Sequence, residues 1–245
     1  MKTVAIVGAS GGIGAAMLAE LTKRDDVSVI HATYYQSPAS SSLGSIANFG
    51  NSTEVHWSAL DATDESQVAH WVKSVGSIDW LINCAGMLHD QSNSPEKAIR
   101  DFDPVHFHKS MSINCLPTLL LGKYARGALK DSPQSIFATV SARVGSIADN
   151  RLGGWYSYRS SKSALNMTLK CLSIEWARTM KNLRVVALHP GTTDSRLSKP
   201  FQSSVPEGKL FSTKKTAGLL IEQLDQLHEQ PSGQFIAYDG EVIPW

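Results

Sequence analysis

Tyr158 and Lys162, in the run Tyr158-Arg159-Ser160-Ser161-Lys162, lie four positions apart. On a helix that spacing puts both on one face, close enough to interact. A phenol, with a free pKa of about 10, is a poor proton donor or acceptor near neutral pH. An ammonium group beside it favours the phenolate and brings it towards useful acid–base chemistry. Solvated helix stripes also carry such pairs, so the pair gains meaning from its company. Tyr156 is a decoy, because the residue four further on is Ser160 rather than a cation.

The elements that must position the pair start at the amino terminus. Residues 3–7, Thr-Val-Ala-Ile-Val, form an apolar run suited to a buried strand. Gly8-Ala9-Ser10-Gly11-Gly12-Ile13-Gly14 follows, and 15–21 reads as a helix. Strand, glycine turn and helix start make a phosphate cradle, in which glycines admit the pyrophosphate and the helix N-terminus offers free N–H groups. The spacing Gly8, Gly12, Gly14 is wider than the common G-x-G-x-x-G fingerprint.

Strands and helices then alternate, the pattern of a parallel sheet covered on both faces. Strands are expected at 27–34, 54–60, 80–83, 135–140, 183–188 and 234–238, with helices between them. Asp103 is a natural N-cap with Pro104 at the first helical position. The fold class expected is α/β, a Rossmann-type doubly wound sheet of seven mostly parallel strands, in a single domain over 1–245. The serine-rich stretch 37–45 reads as a surface loop. In such sheets ligands gather beyond the carboxyl ends of the strands. The Gly8–Gly14 turn, Asp61, the run Asn83-Cys84-Ala85-Gly86, Ser141 and Pro190-Gly191 all fall at such ends.

Composition excludes several classes. Lys plus Arg number 23 against 22 Asp plus Glu, a net charge of +1, and the largest basic run is Lys214-Lys215, so no nucleic-acid footprint is expected. No stretch approaches the roughly 18 apolar residues of a membrane span. The start of the chain does not read as a secretory signal. Cys84, Cys115 and Cys171 are odd in number and far apart, which suits a reducing cytoplasm. The eight histidines suggest no metal site; His106 and His108, two apart, do not share a helix face.

Together the residues Gly8-x-x-x-Gly12-x-Gly14, Asp61, Asn83-x-Ala85-Gly86, Asn114, Ser141, Tyr158-x-x-x-Lys162 and Pro190-Gly191 resemble the short-chain dehydrogenases/reductases. The runs 149–156 and 189–195 look like that family's C-factor-like branch, named for a cell–cell signalling protein. The resemblance implies an NAD(P)-dependent oxidoreductase that moves a hydride between a nicotinamide cofactor and a small carbonyl or alcohol. Tyr158 would be its general acid or base. Lys162 would lower the tyrosine's pKa and bind the nicotinamide ribose, Ser141 would hold the substrate oxygen, and Asn114 would help relay protons through a water. It further implies that the cofactor is held by Gly8, Ser10, Gly12, Ile13, Gly14, Tyr34, Asp61, Ala62, Asn83, Ala85, Gly86, Tyr158, Lys162, Pro190, Gly191 and Thr193.

Residues 33–37, Thr-Tyr-Tyr-Gln-Ser, place no carboxylate where NAD-preferring relatives bind the ribose 2′-hydroxyl, which slightly favours NADP over NAD. No Arg or Lys stands there, and Gly11 occupies the loop position where NADP-preferring relatives often carry a basic residue. Pro117 cannot donate to the carbonyl of Ile113, so the helix should kink beside Asn114. The stretch 195–215 lacks periodicity and reads as a lid or as a surface excursion; as a lid, its Phe201 and Phe211 suggest a partly apolar substrate. The Tyr158 helix carries one apolar set at Leu165, Leu169, Leu172 and Trp176 and another at Met167, Cys171 and Ile174. Two such faces suggest a homodimer or homotetramer. The competing functions are a nucleotide-binding signalling or regulatory protein of the C-factor type with little turnover and, more distantly, a structural oligomer.

Overall fold

A parallel strand inside a doubly wound sheet is buried on both faces and must be apolar along its length. In the computed structural model, which describes residues 1–36, 53–130 and 132–245, β1 (Lys2–Val7) is such a strand. Its Val4 and Ile6 join one apolar layer, and Ala5 and Val7 join the other. The serine-rich stretch 37–45 lies outside the described residues.

After β1 come α1 (Gly12–Leu21), β2 (Val27–Tyr34), β3 (Glu54–Ala59), α2 (Glu65–Val75), β4 (Trp80–Asn83), α3 (Pro104–Asn114) and α4 (Leu116–Lys130). They are followed by β5 (Ile136–Val140), α5 (Tyr156–Ala177), β6 (Arg184–His189), β7 (Thr192–Thr193), β8 (Leu210–Phe211), α6 (Thr213–Gln226) and β9 (Gln234–Ala237). Seven strands form one sheet in the order β3-β2-β1-β4-β5-β6-β9, and every neighbouring pair is parallel. The strand order reverses between β1 and β4, and there Val7 pairs with Asn83. This is the crevice where open α/β sheets take their ligands.

Met17, Leu18 and Leu21 of α1, with Leu220 and Leu224 of α6, cover one face. Trp71 of α2, Leu121 and Leu129 of α4, and Leu165, Leu169 and Trp176 of α5 cover the other. Asp64 caps α2 by accepting from the Gln67 amide at 3.0 Å, and Asp103 caps α3 by accepting from Val105 N at 2.9 Å. The kink expected at Pro117 is a full break, with Cys115 between α3 and α4. The stretch 195–215 is more ordered than its sequence suggests. A 3-10 segment spans Lys199–Ser204, and the β7–β8 pair sets Thr192 against Leu210 and Thr193 against Phe211. The last helix starts at Thr213, where Ser212 caps it by accepting from the Lys215 amide at 3.2 Å.

Leu169 is fully buried between α5 and the sheet, so Leu169→Ala leaves a cavity beneath the Tyr158 helix. A loss of about 2–5 kcal/mol in urea-unfolding free energy is the expected outcome.

Candidate active site

The glycine turn has its shape for steric reasons. Gly8 sits at φ +76°, and a Cβ there would lie 3.0 Å from Ala85 N. A Cβ on Gly14 would lie 2.3 Å from the Gly8 carbonyl oxygen, so α1 can start this close to β1 only with glycine at that position. Gly11 occupies the N-cap of α1, and no side chain caps the helix. The opening N–H groups are therefore left for an anion, which fits the pyrophosphate of a dinucleotide.

A cavity of about 340 Å³ opens over this edge of the sheet. Of the residues expected at a site, it brings together Gly12, Ile13, Gly14, Ala85, Gly86, Ser141, Tyr158, Lys162, Pro190, Gly191 and Thr193. Gly8, Ser10, Tyr34, Asp61, Ala62, Asn83 and Asn114 are not in its wall. Asn83 shapes it from behind, whereas Asp61 and Tyr34 make their contacts outside it. Asn83 accepts from Ala85 N at 3.0 Å and donates to Thr118 Oγ1 at 3.1 Å, fixing the turn after β4. Asp61 Oδ1 accepts from the amide and hydroxyl of Thr63. Tyr34 packs its ring against Trp57.

Tyr158 and Lys162 share one face of α5, as their spacing requires, and both are buried. Lys162 Nζ donates to the carbonyl of Val140 at 3.0 Å, at the end of β5, and lies 5.8 Å from the Tyr158 ring centre. Asn114 is held rigidly. Its Oδ1 accepts from Met87 N at 2.7 Å, while its Nδ2 donates to Met87 O at 2.8 Å and to Ser161 Oγ at 2.9 Å. A Cβ on Gly86 would fall 3.3 Å from Asn114 Oδ1 and 3.5 Å from Lys162 Nζ, so this glycine keeps open the space between them.

The electrostatics correct one expectation. Burial pushes the Tyr158 phenol up rather than letting Lys162 bring it down, and burial pushes Lys162 itself down to about 8. The ammonium is aimed at a backbone carbonyl rather than at the phenol, and desolvation is the leading cause of both shifts. The thiols of Cys84 and Cys115 partly oppose the shift of Lys162.

Several residues at the site escaped the sequence reading as site residues. Asn166, four beyond Lys162, accepts from Ser141 Oγ at 2.6 Å and so orients that hydroxyl; the 158, 162, 166 spacing was the available signal. His189 is half-buried at the end of β6, and its desolvation drives its pKa down to about 4 with help from the Arg143 charge. Its neutral Nδ1 accepts from Arg143 N at 3.2 Å. Leu88 and Trp155 line the cavity, as does Phe201, noted earlier only as part of a lid. The Trp155 ring stands 6.3 Å from Tyr158 and 5.3 Å from Phe201, centre to centre. Residues 195–201 thus reach the cavity as a covering segment. They are tied down by Ser198 Oγ, which donates to Thr193 O at 2.5 Å. Among the described residues no cluster of His, Cys, Asp or Glu could hold a metal, and no helix is long and apolar enough to cross a membrane.

The Lys162 shift has a pH signature. Its pKa in the fold, about 8, lies below the ordinary 10.5, so between those values the unfolded chain binds more protons than the folded one. Stability contributed by this group therefore rises with pH through that window. Urea unfolding should show the wild type gaining about 2 kcal/mol on Lys162→Met between pH 8 and pH 10. Below pH 7 the difference should be flat. Above pH 10 the raised Tyr158 pKa acts the other way, since the unfolded phenol ionises first.

The chain is similar to known proteins in sequence and in fold. The family model described as short chain dehydrogenase matches residues 2–205. A 1-hydroxy-2-glutathionyl-2-methyl-3-butene dehydrogenase of Rhodococcus sp. (strain AD45) is 28% identical over 249 residues, covering 100% of both chains. The C-signal protein of Myxococcus xanthus is 31% identical over 170 residues, covering 69% of this chain and 94% of its own. It is a relative of the kind the C-factor-like runs had led us to expect. The NADPH-bound carbonyl reductase from chicken fatty liver superposes with a TM-score of 0.86 at 23% identity, over 100% of this chain and 94% of that one. That likeness is one of fold. With a glycine turn, a Tyr–Lys pair and a serine on one sheet edge, and a family match over most of its length, the chain belongs to the short-chain dehydrogenases and is an NAD(P)-dependent oxidoreductase.

Proposed function

We propose that this oxidoreductase reduces a small carbonyl compound with NADPH, and that Tyr158 donates the proton. The observation that carries the reading is convergence. Ser141, Tyr158 and Lys162 line the same cavity as the uncapped start of α1. When bound, the nicotinamide supplies the hydride.

The chain's own residues do the rest. Gly12, Ile13 and Gly14 receive the pyrophosphate, with Ala85, Gly86, Pro190, Gly191 and Thr193 along the same wall; Gly8, Ser10, Tyr34, Asp61, Ala62 and Asn83 complete the cofactor set outside that wall. Ser141 holds the substrate oxygen. Tyr158 protonates it, and a phenol kept neutral by burial is in the right state to give a proton at neutral pH. Lys162, fixed on the Val140 carbonyl, stabilises the phenolate left behind and binds the ribose. Asn114, packed behind Gly86 beside the lysine, passes protons between Lys162 and solvent. Leu88, Val144, Trp155 and Phe201 wall the cavity, so the carbonyl should carry an apolar flank.

NADPH is favoured because no carboxylate stands at residues 34–36, at the end of β2, to repel a 2′-phosphate. The NADPH-bound fold neighbour supports the same choice. The second apolar face of α5 supports pairing of copies, since Met167 and Ile174 are 63% and 56% exposed. The whole chain acts as one dinucleotide-binding and catalytic domain. A signalling role without turnover is not favoured, because it has no use for Ser141, Tyr158 and Lys162 in one cavity.

Carbonyl-dependent NADPH oxidation should fall about 10²–10⁴-fold in Tyr158→Phe, with cofactor binding kept; turnover at the wild-type rate would sink the proposal. Fluorescence titration should give tighter binding for NADPH than for NADH, and the reverse order would remove the cofactor preference. Light scattering at micromolar concentration should give a dimeric or tetrameric mass.

A further inference from the structure

Glu96 is 4% exposed, carries a carboxylate, and has no part in the steps above. Both its oxygens accept from Ser157 N, at 3.3 and 3.2 Å, and Oε1 also accepts from the Ser157 hydroxyl. Its backbone carbonyl accepts from Trp155 N at 2.6 Å. Ser157 is the second residue of α5, the helix that bears Tyr158. A helix start needs an acceptor for its first amides, usually the side chain of the N-cap residue. Here that residue is Trp155, whose indole has no oxygen to offer and makes no cap bond.

The chain enters the helix through three successive left-handed residues, Gly153 and Gly154 at φ +64° and Trp155 at φ +51°. Trp155 is the only non-glycine residue with positive φ among the described residues, a strained conformation for a bulky side chain. Arg159 reaches back to hold this entry, donating through Nε to the carbonyls of Gly153 and Gly154, both at 3.1 Å. A Cβ on Gly154 would meet the Glu96 carbonyl at 3.4 Å, so the entry also packs on the Glu96 backbone.

We infer that Glu96 is a positioning residue for catalysis: it supplies from a distant loop the cap that α5 lacks, and so fixes Tyr158 and the Trp155 wall together. A carboxylate suits the place, since it meets both the free amide and the positive end of the helix. The inference rests on Tyr158 being the proton donor.

The test compares Glu96→Ala, Glu96→Gln and Ser157→Ala, with Tyr158→Phe as control. Amide exchange is followed by mass spectrometry in the free protein, and turnover is measured per NADPH-binding site. In Glu96→Ala, exchange at residues 157–159 should quicken about tenfold or more while 165–176 stays protected. Its kcat should fall on the order of 10²-fold, as misplacement of a reacting group does. KM should rise more for a bulky aryl ketone, which leans on Trp155, than for a short aldehyde. Glu96→Gln keeps an acceptor oxygen and should recover much of the rate.

Wild-type exchange and kcat in Glu96→Ala would overturn the inference, as would a Gln variant as impaired as the Ala one. Should Glu96→Ala fail to fold, Ser157→Ala decides. A roughly threefold or larger loss of kcat, with faster exchange in the same turn, supports the cap, and unchanged values refute it. Full turnover in Tyr158→Phe would instead remove the proton-donor reading, and the exchange data would still judge the cap separately.

Discussion

The contact on which the site depends is the buried ammonium of Lys162 against the carbonyl of Val140. A cation away from water needs acceptors, and this one finds its backbone partner at the carboxyl end of a central strand. To reach it, α5 must lie close against the segment after β5. Gly145 permits that approach, because a Cβ there would stand 2.8 Å from the Lys162 Cβ. Once the lysine is seated, Tyr158 one turn earlier and Asn166 one turn later fall on the same side. Asn166 then holds Ser141, the residue that follows Val140. One hydrogen bond thus registers the helix to the strand, and the reactive side chains inherit that register.

The same burial decides the acid–base state. A tyrosine and a lysine in water would be expected to help each other, the cation drawing the phenol down. Excluding water penalises each charged form separately, so the phenol rises and the ammonium falls. For a donor this is a workable compromise. In the proposed role the phenol would stay protonated until a negative charge begins to form on the substrate oxygen, and the lysine would then have a phenolate to pair with in a medium where the attraction is strong.

Much of this was legible because it is local. Buried strands announce themselves as apolar runs, the glycine turn by its composition, and the Tyr158–Lys162 pair by helical spacing, so the sheet and the crevice follow from short windows of sequence. What escaped depends on partners remote in the chain. Glu96 meets Ser157 across 61 positions, and nothing in residues 94–97 marks it as a cap. Gly153-Gly154-Trp155 reads simply as a loop, since left-handed backbone at a tryptophan is imposed by its neighbours rather than by its own preference. The β7–β8 pair is only two residues long on each side, too short for periodicity to show. The direction of the Tyr158 shift was missed for a related reason. Spacing reports proximity, while the sign of a pKa shift depends on how much water the finished fold removes.

Rigidity is distributed unevenly around the cavity, and the distribution makes chemical sense. The start of α5 is held from three sides, by Glu96 at its amides, by Arg159 over the glycines before it, and by Lys162 on the sheet. The covering segment opposite is held by the two-residue strand pair and by the hydrogen bonds of Ser198 and Gln202. Across the boundary, Phe201 meets the rings of Trp155 and His89, and one exposed hydrogen-bond contact links His89 Nε2 to the Arg196 carbonyl at 3.3 Å. Ring contacts without directional bonds break and re-form at low cost, whereas a buried carboxylate cannot give up its donors without penalty. The fold thus sets buried, charge-assisted bonds at the start of α5, while the covering segment meets that wall through ring contacts and one exposed hydrogen bond.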